Sequence, residues 1–280
     1  MKPSDSIDQE RYFNDPEYRK KIAESRAQKS ESNPLRQALW VVSISVLSLL
    51  SIGVIYGYIL FQGLPSIEQL ENPETAIASE VRSRDGVVLD KYFTENRTWI
   101  RYNDISEYAI NALLSTEDHR FYNHWGMDMI RTLAIPINIL RGRVEGGSTL
   151  SQQLARNLYK EIGQKFSVNR KFREMITAVQ IERNYTKKEI IEMYLNTVEY
   201  SNSAFGIESA ARTHFNKSAK DLSILEAATL VGSVNAVYAY NPRLFPERSK
   251  QRRNIVLRLM NRQGYISGNQ LSSLSAEPIV

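Results

Sequence analysis

The stretch from Ser115 to Gly126, STEDHRFYNHWG, decides how this chain is read. The run before it is apolar at Ile105, Ala109, Ile110, Leu113 and Leu114, the spacing of a helix with one face turned inward. Two adjacent carboxylates, Glu117 and Asp118, follow. Phe121, Tyr122, His124 and Trp125 come close behind, and Gly126 is expected to end the helical run. A carboxylate at the end of a packed helix, beside aromatic rings, suits a general acid or base. Partial desolvation raises a carboxyl pKa toward working pH, and the helix holds the group still. The plainer alternative is an exposed Glu-Asp pair on a solvated face, next to a core aromatic cluster.

A second stretch, Gly146 to Asn157, GGSTLSQQLARN, adds to the first. Its two glycines relax the backbone. Ser148 is expected at the N-cap of the next helix, with Gln152 and Gln153 about one turn on. Hydroxyls and amides at a helix N-terminus receive phosphate and sugar oxygens well. Taken alone, the stretch reads equally as an ordinary capped helix.

Together the two stretches resemble the peptidoglycan glycosyltransferases, glycosyltransferase family 51, found in class A penicillin-binding proteins and in monofunctional enzymes. The first motif of that family is matched at Glu117, Asp118, Phe121, His124 and Gly126. The second is matched at Gly146, Ser148, Thr149, Gln152 and Gln153. The third falls on Arg170, Lys171 and Glu174. The fourth falls on Lys187, Ile190, Tyr194, Leu195 and Asn196, with Ile191 where the family has Leu. The fifth falls on Arg252, Val256 and Leu257. Any one of these is a weak signal; five in order, over roughly residues 64–279, are a specific one.

Composition sets outer bounds. The chain has 280 residues, room for one sizeable domain plus appendages. It has no cysteine, which excludes disulfides and thiolate metal sites. The net charge of +5 suits work near anionic lipid or a diphosphate, and no nucleic-acid motif is visible. Residues 1–37 read as a polar tail, disordered or loosely helical. Residues 38–61 carry no charge and are long enough to span a bilayer, with Trp40 near one end and Tyr56 and Tyr58 near the other. Arg19, Lys20, Lys21, Arg26, Lys29 and Arg36 precede this run, and none follows until Arg82. The positive-inside bias therefore puts the N-terminus in the cytoplasm and the rest outside. Residues 62–101 read as a linker and a β hairpin turning at Asp85-Gly86, with Thr98–Ile100 as a further strand. Residues 102–280 read as helices. Capping boxes at Thr186/Glu189 and Ser223/Glu226 open two of them, and Pro246 and Gly264 bracket a third. Pro136 is expected to break or kink its helix. Residues 141–147 and 160–169 read as mobile loops.

The resemblance implies a mainly α, lysozyme-like domain at a bacterial plasma membrane. It implies lipid II polymerised into β-1,4 glycan with inversion and release of undecaprenyl diphosphate. Glu117 is then the general base and Glu174 a second catalytic carboxylate that orients basic groups or holds the donor. Asp118, Ser148, Thr149, Gln152 and Gln153 are placed on the substrate side. Arg170, Lys171 and Lys187 are candidates to neutralise diphosphates. His124, Tyr194, Asn196 and Arg252 are assigned to the scaffold. No His/Cys metal cluster is visible, so no cofactor is obligatory; Mg²⁺ or Mn²⁺ would come with the substrate diphosphate. Partners would be lipid II, lipid-linked glycan, the membrane and a cell-wall synthesis complex. Three alternatives stay open: a glycan-cleaving enzyme of the lysozyme or lytic transglycosylase kind, a tethered binding module, and the front part of a bifunctional enzyme whose transpeptidase domain would follow Val280.

Overall fold

The computed structural model describes residues 9–30, 34–66, 68, 70, 79–82, 84–85, 88–92, 96–140, 147–159, 162 and 167–279. Met1–Ile59 and Leu60–Val280 are two compact units. In the first, helices α1 (Gln9–Asn14) and α2 (Pro16–Ser30) occupy the polar tail. Helix α3 (Pro34–Phe61) follows. It starts four residues before the uncharged run and takes in Arg36. Within Leu35–Phe61 a window of 18 residues reaches a mean hydropathy of 2.4, and the helix is long and apolar enough to cross a membrane.

The second unit is mainly α. The hairpin forms as expected, β1 (Ser79–Arg82) pairing antiparallel with β2 (Val88–Tyr92) and Asp85 in the turn. The expected third strand does not extend it. Strand β3 is Asn96–Arg97 and pairs in parallel with β5 (Ala204–Phe205), which also pairs antiparallel with β4 (Glu199–Tyr200). That partner lies more than a hundred residues further along the chain.

The helices are α4 (Glu107–Glu117), α5 (Met129–Leu140), α6 (Leu150–Leu158), α7 (Val168–Asn184), α8 (Lys187–Thr197), α9 (Ile207–Phe215), α10 (Ile224–Ser233), α11 (Pro246–Arg262) and α12 (Gly268–Ala276). Both capping boxes form, at Thr186/Glu189 and Ser223/Glu226. Pro246 opens α11, and Gly264 lies just past its end at φ 81°. Helices α4, α10 and α11 pack on one another, and α6 packs on α7 and α8. The core runs between these groups. Leu113 of α4, Leu150 and Leu154 of α6, Ile181 of α7, Ile190 and Leu195 of α8, Val231 of α10 and Leu257 of α11 are all buried in it. Gly232 lets α10 approach α11 closely, since a Cβ there would come 3.3 Å from Arg252 Cγ.

Three local expectations are corrected. Helix α4 stops at Glu117 with Asp118 as its C-cap, nine residues before Gly126. Gly126 instead takes φ 95° in the following loop, where a Cβ would lie 2.8 Å from the backbone of Ala178 and Val179. The glycine is required by that close approach and not by a helix end. The N-cap of α6 is Thr149, not Ser148: its side chain accepts from Gln152 N. Helix α5 runs through Pro136 without a break. The expected mobile loops fall mostly outside the described residues.

Candidate active site

Glu117 is the last residue of α4 and is 8% exposed. It borders a cavity of about 380 Å³ that Ser148, Gln153 and Asn235 also line. Three guanidinium groups complete the wall: Arg131 of α5, Arg156 of α6 and Arg252 of α11. The polar contacts of the carboxylate are amides. Gln153 donates from Nε2 to Oε2 at 2.9 Å, and Asn235 donates from Nδ2 to Oε1 at 3.3 Å. Arg131 Nη1 donates to the Glu117 carbonyl at 3.2 Å. The rings that the sequence placed beside this carboxylate pack elsewhere. Phe121 stacks edge-on against Tyr122 and His124 and lies under Lys187 Nζ at 4.1 Å.

A second layer sets the orientation of Gln153. Tyr194, buried in α8, donates from its hydroxyl to Gln153 Oε1 at 3.0 Å. Burial, and then the charge of Glu117, push the Tyr194 hydroxyl well above its usual pKa, so it remains a donor. With its oxygen taken, Gln153 presents its NH₂ to Glu117.

Asp118 is 1% exposed and works in the frame. Its Oδ2 accepts from Leu150 N at 3.0 Å and meets His124 Nε2 at 2.9 Å, tying the end of α4 to the start of α6. Thr149 donates to Gly126 O at 2.6 Å, and Gln152 Nε2 lies 3.5 Å from the same oxygen. Asp118, Thr149 and Gln152 are therefore buried supports and do not face the cavity, unlike Ser148 and Gln153. His124 meets Asp118 within this frame.

Glu174 of α7 is 1% exposed. It lies 3.1 Å from Arg170 Nε and 3.2 Å from Lys171 Nζ. Lys171 also donates to Ser148 Oγ and Gln152 Oε1, both at 2.7 Å. Burial lowers the Lys171 pKa. The Glu174 charge and hydrogen bond oppose that shift, while Arg156 and Arg170 add to it. Lys187 differs from the expectation. Its ammonium donates to His124 O at 2.7 Å and Glu182 at 2.8 Å, so it closes an internal network and does not line the cavity. Arg252 is corrected in the other direction. Its Nε donates to Gly232 O at 3.2 Å, and its side chain forms part of the cavity wall. Arg131, Arg156 and Asn235 went unmarked in the sequence. Among the described residues no group of three or more His, Cys, Asp or Glu side chains could hold a metal ion.

A carboxylate between two amides, on a cavity wall with three arginines in a helical frame, is the kind of site that suits an acid-base enzyme. The Transglycosylase family matches residues 85–261. The chain is 39% identical over 249 residues to penicillin-binding protein 1A of Pseudomonas aeruginosa, covering 88% of this chain and 30% of that protein. It is 37% identical over 222 residues to penicillin-binding protein 1A of Aquifex aeolicus, covering 79% and 30%. It is 38% identical over 195 residues to penicillin-binding protein 1F of Bacillus subtilis, covering 69% and 27%. The chain belongs to the transglycosylase family and carries the glycosyltransferase domain of the class A penicillin-binding proteins. It spans less than a third of the length of these relatives.

Proposed function

We propose that the chain polymerises lipid II at the outer face of a bacterial plasma membrane. A glycan strand on undecaprenyl diphosphate is the donor and lipid II the acceptor. The observation that carries this reading is Glu117 on the cavity wall, held by Gln153 and Asn235 opposite Arg131, Arg156 and Arg252. Glu117 takes the proton from the acceptor hydroxyl. The freed oxygen pair attacks C1 of the donor sugar, and the C1–O pair leaves with the lipid diphosphate, inverting the carbon. Guanidinium groups suit the diphosphate because each offers a planar fork of donors. Lys171 and Arg170 supply positive charge behind Ser148, with Glu174 holding them in place. A divalent ion, where one takes part, is held through the diphosphate oxygens. Helix α3 spans the membrane with the N-terminus inside, and a cell-wall synthesis complex is the setting.

The glycan-cleaving alternative shares the need for a carboxylate but not for three arginines around it. Labelled lipid II with wild type and Glu117→Gln separates the two. General-base catalysis is worth about 10²–10⁴-fold, so polymerisation falls by at least about 100-fold in the variant. Unchanged turnover refutes the base assignment. Release of sugar from finished sacculi, with no lipid II consumed, establishes the cleaving enzyme instead.

A further inference from the structure

Asn235 stands on the turn Val234–Ala236 that follows α10, and it meets Glu117 from across a sequence separation of 118 residues. The two amides on Glu117 are not equivalent. Tyr194 occupies Gln153 Oε1, so Gln153 is fixed as a donor toward Glu117 Oε2. The Asn235 amide shows one hydrogen bond among the described residues, the donation from Nδ2 to Glu117 Oε1. A carboxylate only accepts, whereas a carboxylic acid also donates. A base that cycles between the two needs a neighbour able to answer both. Turning Gln153 over would take the acceptor away from the buried Tyr194 O–H and leave that proton without a partner, which is costly. Asn235 can turn about its last bond and present Oδ1 in place of Nδ2.

We propose that Asn235 is a positioning residue for Glu117. It donates to the carboxylate, then accepts from the carboxylic acid, so that the proton taken from the acceptor hydroxyl is carried on Oε1. The oxygen pair freed by that proton forms the bond to C1, and the C1–O pair leaves with the diphosphate. The inference rests on the function proposed above. The other charged and titratable groups that face Glu117 are Arg131 from α5, Arg156 from α6 and Arg252 from α11. Tyr194 of α8 stands behind Gln153, and Lys171 of α7 reaches Ser148 on the same wall. None of these is changed in the variants below, so a change in pH dependence reports on position 235.

The experiment is the pH profile of kcat and kcat/KM for lipid II polymerisation by wild type, Glu117→Gln, Asn235→Ala and Asn235→Asp. Thermal melts of each are recorded alongside. Asn235→Ala removes the partner of both forms of Glu117, so kcat falls about tenfold while the acid limb stays in place. Asn235→Asp has the same shape and adds a like charge, so the acid limb moves up, with the melt near that of wild type. If Asn235→Ala does not fold, the Asp variant decides. An unchanged kcat in folded Asn235→Ala, or an unchanged acid limb in Asn235→Asp, with Glu117→Gln inactive, overturns this inference and leaves the base assignment standing. Activity retained in Glu117→Gln overturns both.

Discussion

Lys171 Nζ donates to Ser148 Oγ at 2.7 Å, and this contact joins α7 to the loop that leads into α6. The same ammonium reaches Gln152 Oε1 and Glu174 Oε2, so one charge holds together the start of one helix and the first turns of another. It stands directly behind Ser148, a residue of the cavity wall.

Lys171→Met should therefore raise KM for lipid II and lower kcat, since both the charge and the position of Ser148 are lost. About tenfold in kcat/KM is expected for one charged hydrogen-bonding group. Burial depresses the pKa of Lys171, so the ammonium loses its proton below the usual lysine range. The alkaline limb of kcat/KM should accordingly lie below the usual lysine range, and Lys171→Arg should move it upward because guanidinium keeps its charge. An alkaline limb that Lys171→Arg leaves in place removes Lys171 from the pH dependence.

Asp128 holds the start of α5. Its Oδ1 accepts from Arg131 N at 2.9 Å, and Arg120 pairs with the carboxylate through Nε at 2.8 Å and through Nη2. Burial alone raises its pKa, but the bonds from Arg120 and Arg131, with the nearby charges of Arg120 and His124, leave it lowered. A lowered carboxyl pKa stabilises the fold above the unfolded value, and that contribution is lost as pH falls through the folded one. Asp128→Asn should cost about 2 kcal/mol at pH 7. The gap in stability from wild type should narrow as pH drops below about 4. A gap that stays constant from pH 7 to pH 3 in urea unfolding contradicts the assignment.

Helix α5 begins with an exposed apolar face. Ile130 is 71% exposed and Leu133 70%, and Trp125, Met127, Met129 and Ile130 line a second cavity of about 370 Å³. Exposed apolar area of this kind is where an interfacial surface would meet lipid. A chain lacking residues 1–61 should still bind liposomes in a flotation assay, and Ile130→Ser with Leu133→Ser should reduce that binding severalfold. If the truncated chain stays wholly in the soluble fraction, α3 is the sole membrane contact.

Local signals were legible and distant ones were not. Both capping boxes read correctly because Thr186 with Glu189, and Ser223 with Glu226, are complete within four residues. Glu117 and Gln153, 36 positions apart, were found because each lies in its own recognisable stretch. Asn235, Arg131 and Arg156 sit on helices or turns where a polar side chain usually means a solvated face, and only the tertiary fold brings α5, α6 and the turn after α10 to one cavity. Lys187 was marked from its place in a basic motif, and its ammonium donates to Glu182 and to the His124 carbonyl and not into the cavity around Glu117. Ser148 and Thr149 were exchanged because both carry hydroxyls. The extended backbone of Thr149, φ −79° and ψ 165°, decides which one caps α6.

Glu174 is the sharper test of the division of labour between the two carboxylates. It is almost wholly buried, lies against Arg170 and Lys171, and does not line the cavity that holds Glu117. A proton acceptor must reach its substrate, so the role proposed for Glu174 is to place the two cations. Glu174→Gln keeps the shape and removes the charge that compensates them. Two effects should follow together. Stability should fall by about 1–3 kcal/mol, less than for a fully buried pair because Lys171 keeps contact with water. KM for lipid II should rise with the fall in kcat, because the misplaced cations weaken donor binding in the ground state as well as in the transition state. Glu117→Gln, by contrast, should lower kcat with little change in KM. Urea unfolding and initial rates over a range of lipid II concentrations measure both effects. If Glu174→Gln abolishes kcat at unchanged KM while Glu117→Gln remains active, the base is Glu174 and the cavity around Glu117 serves binding.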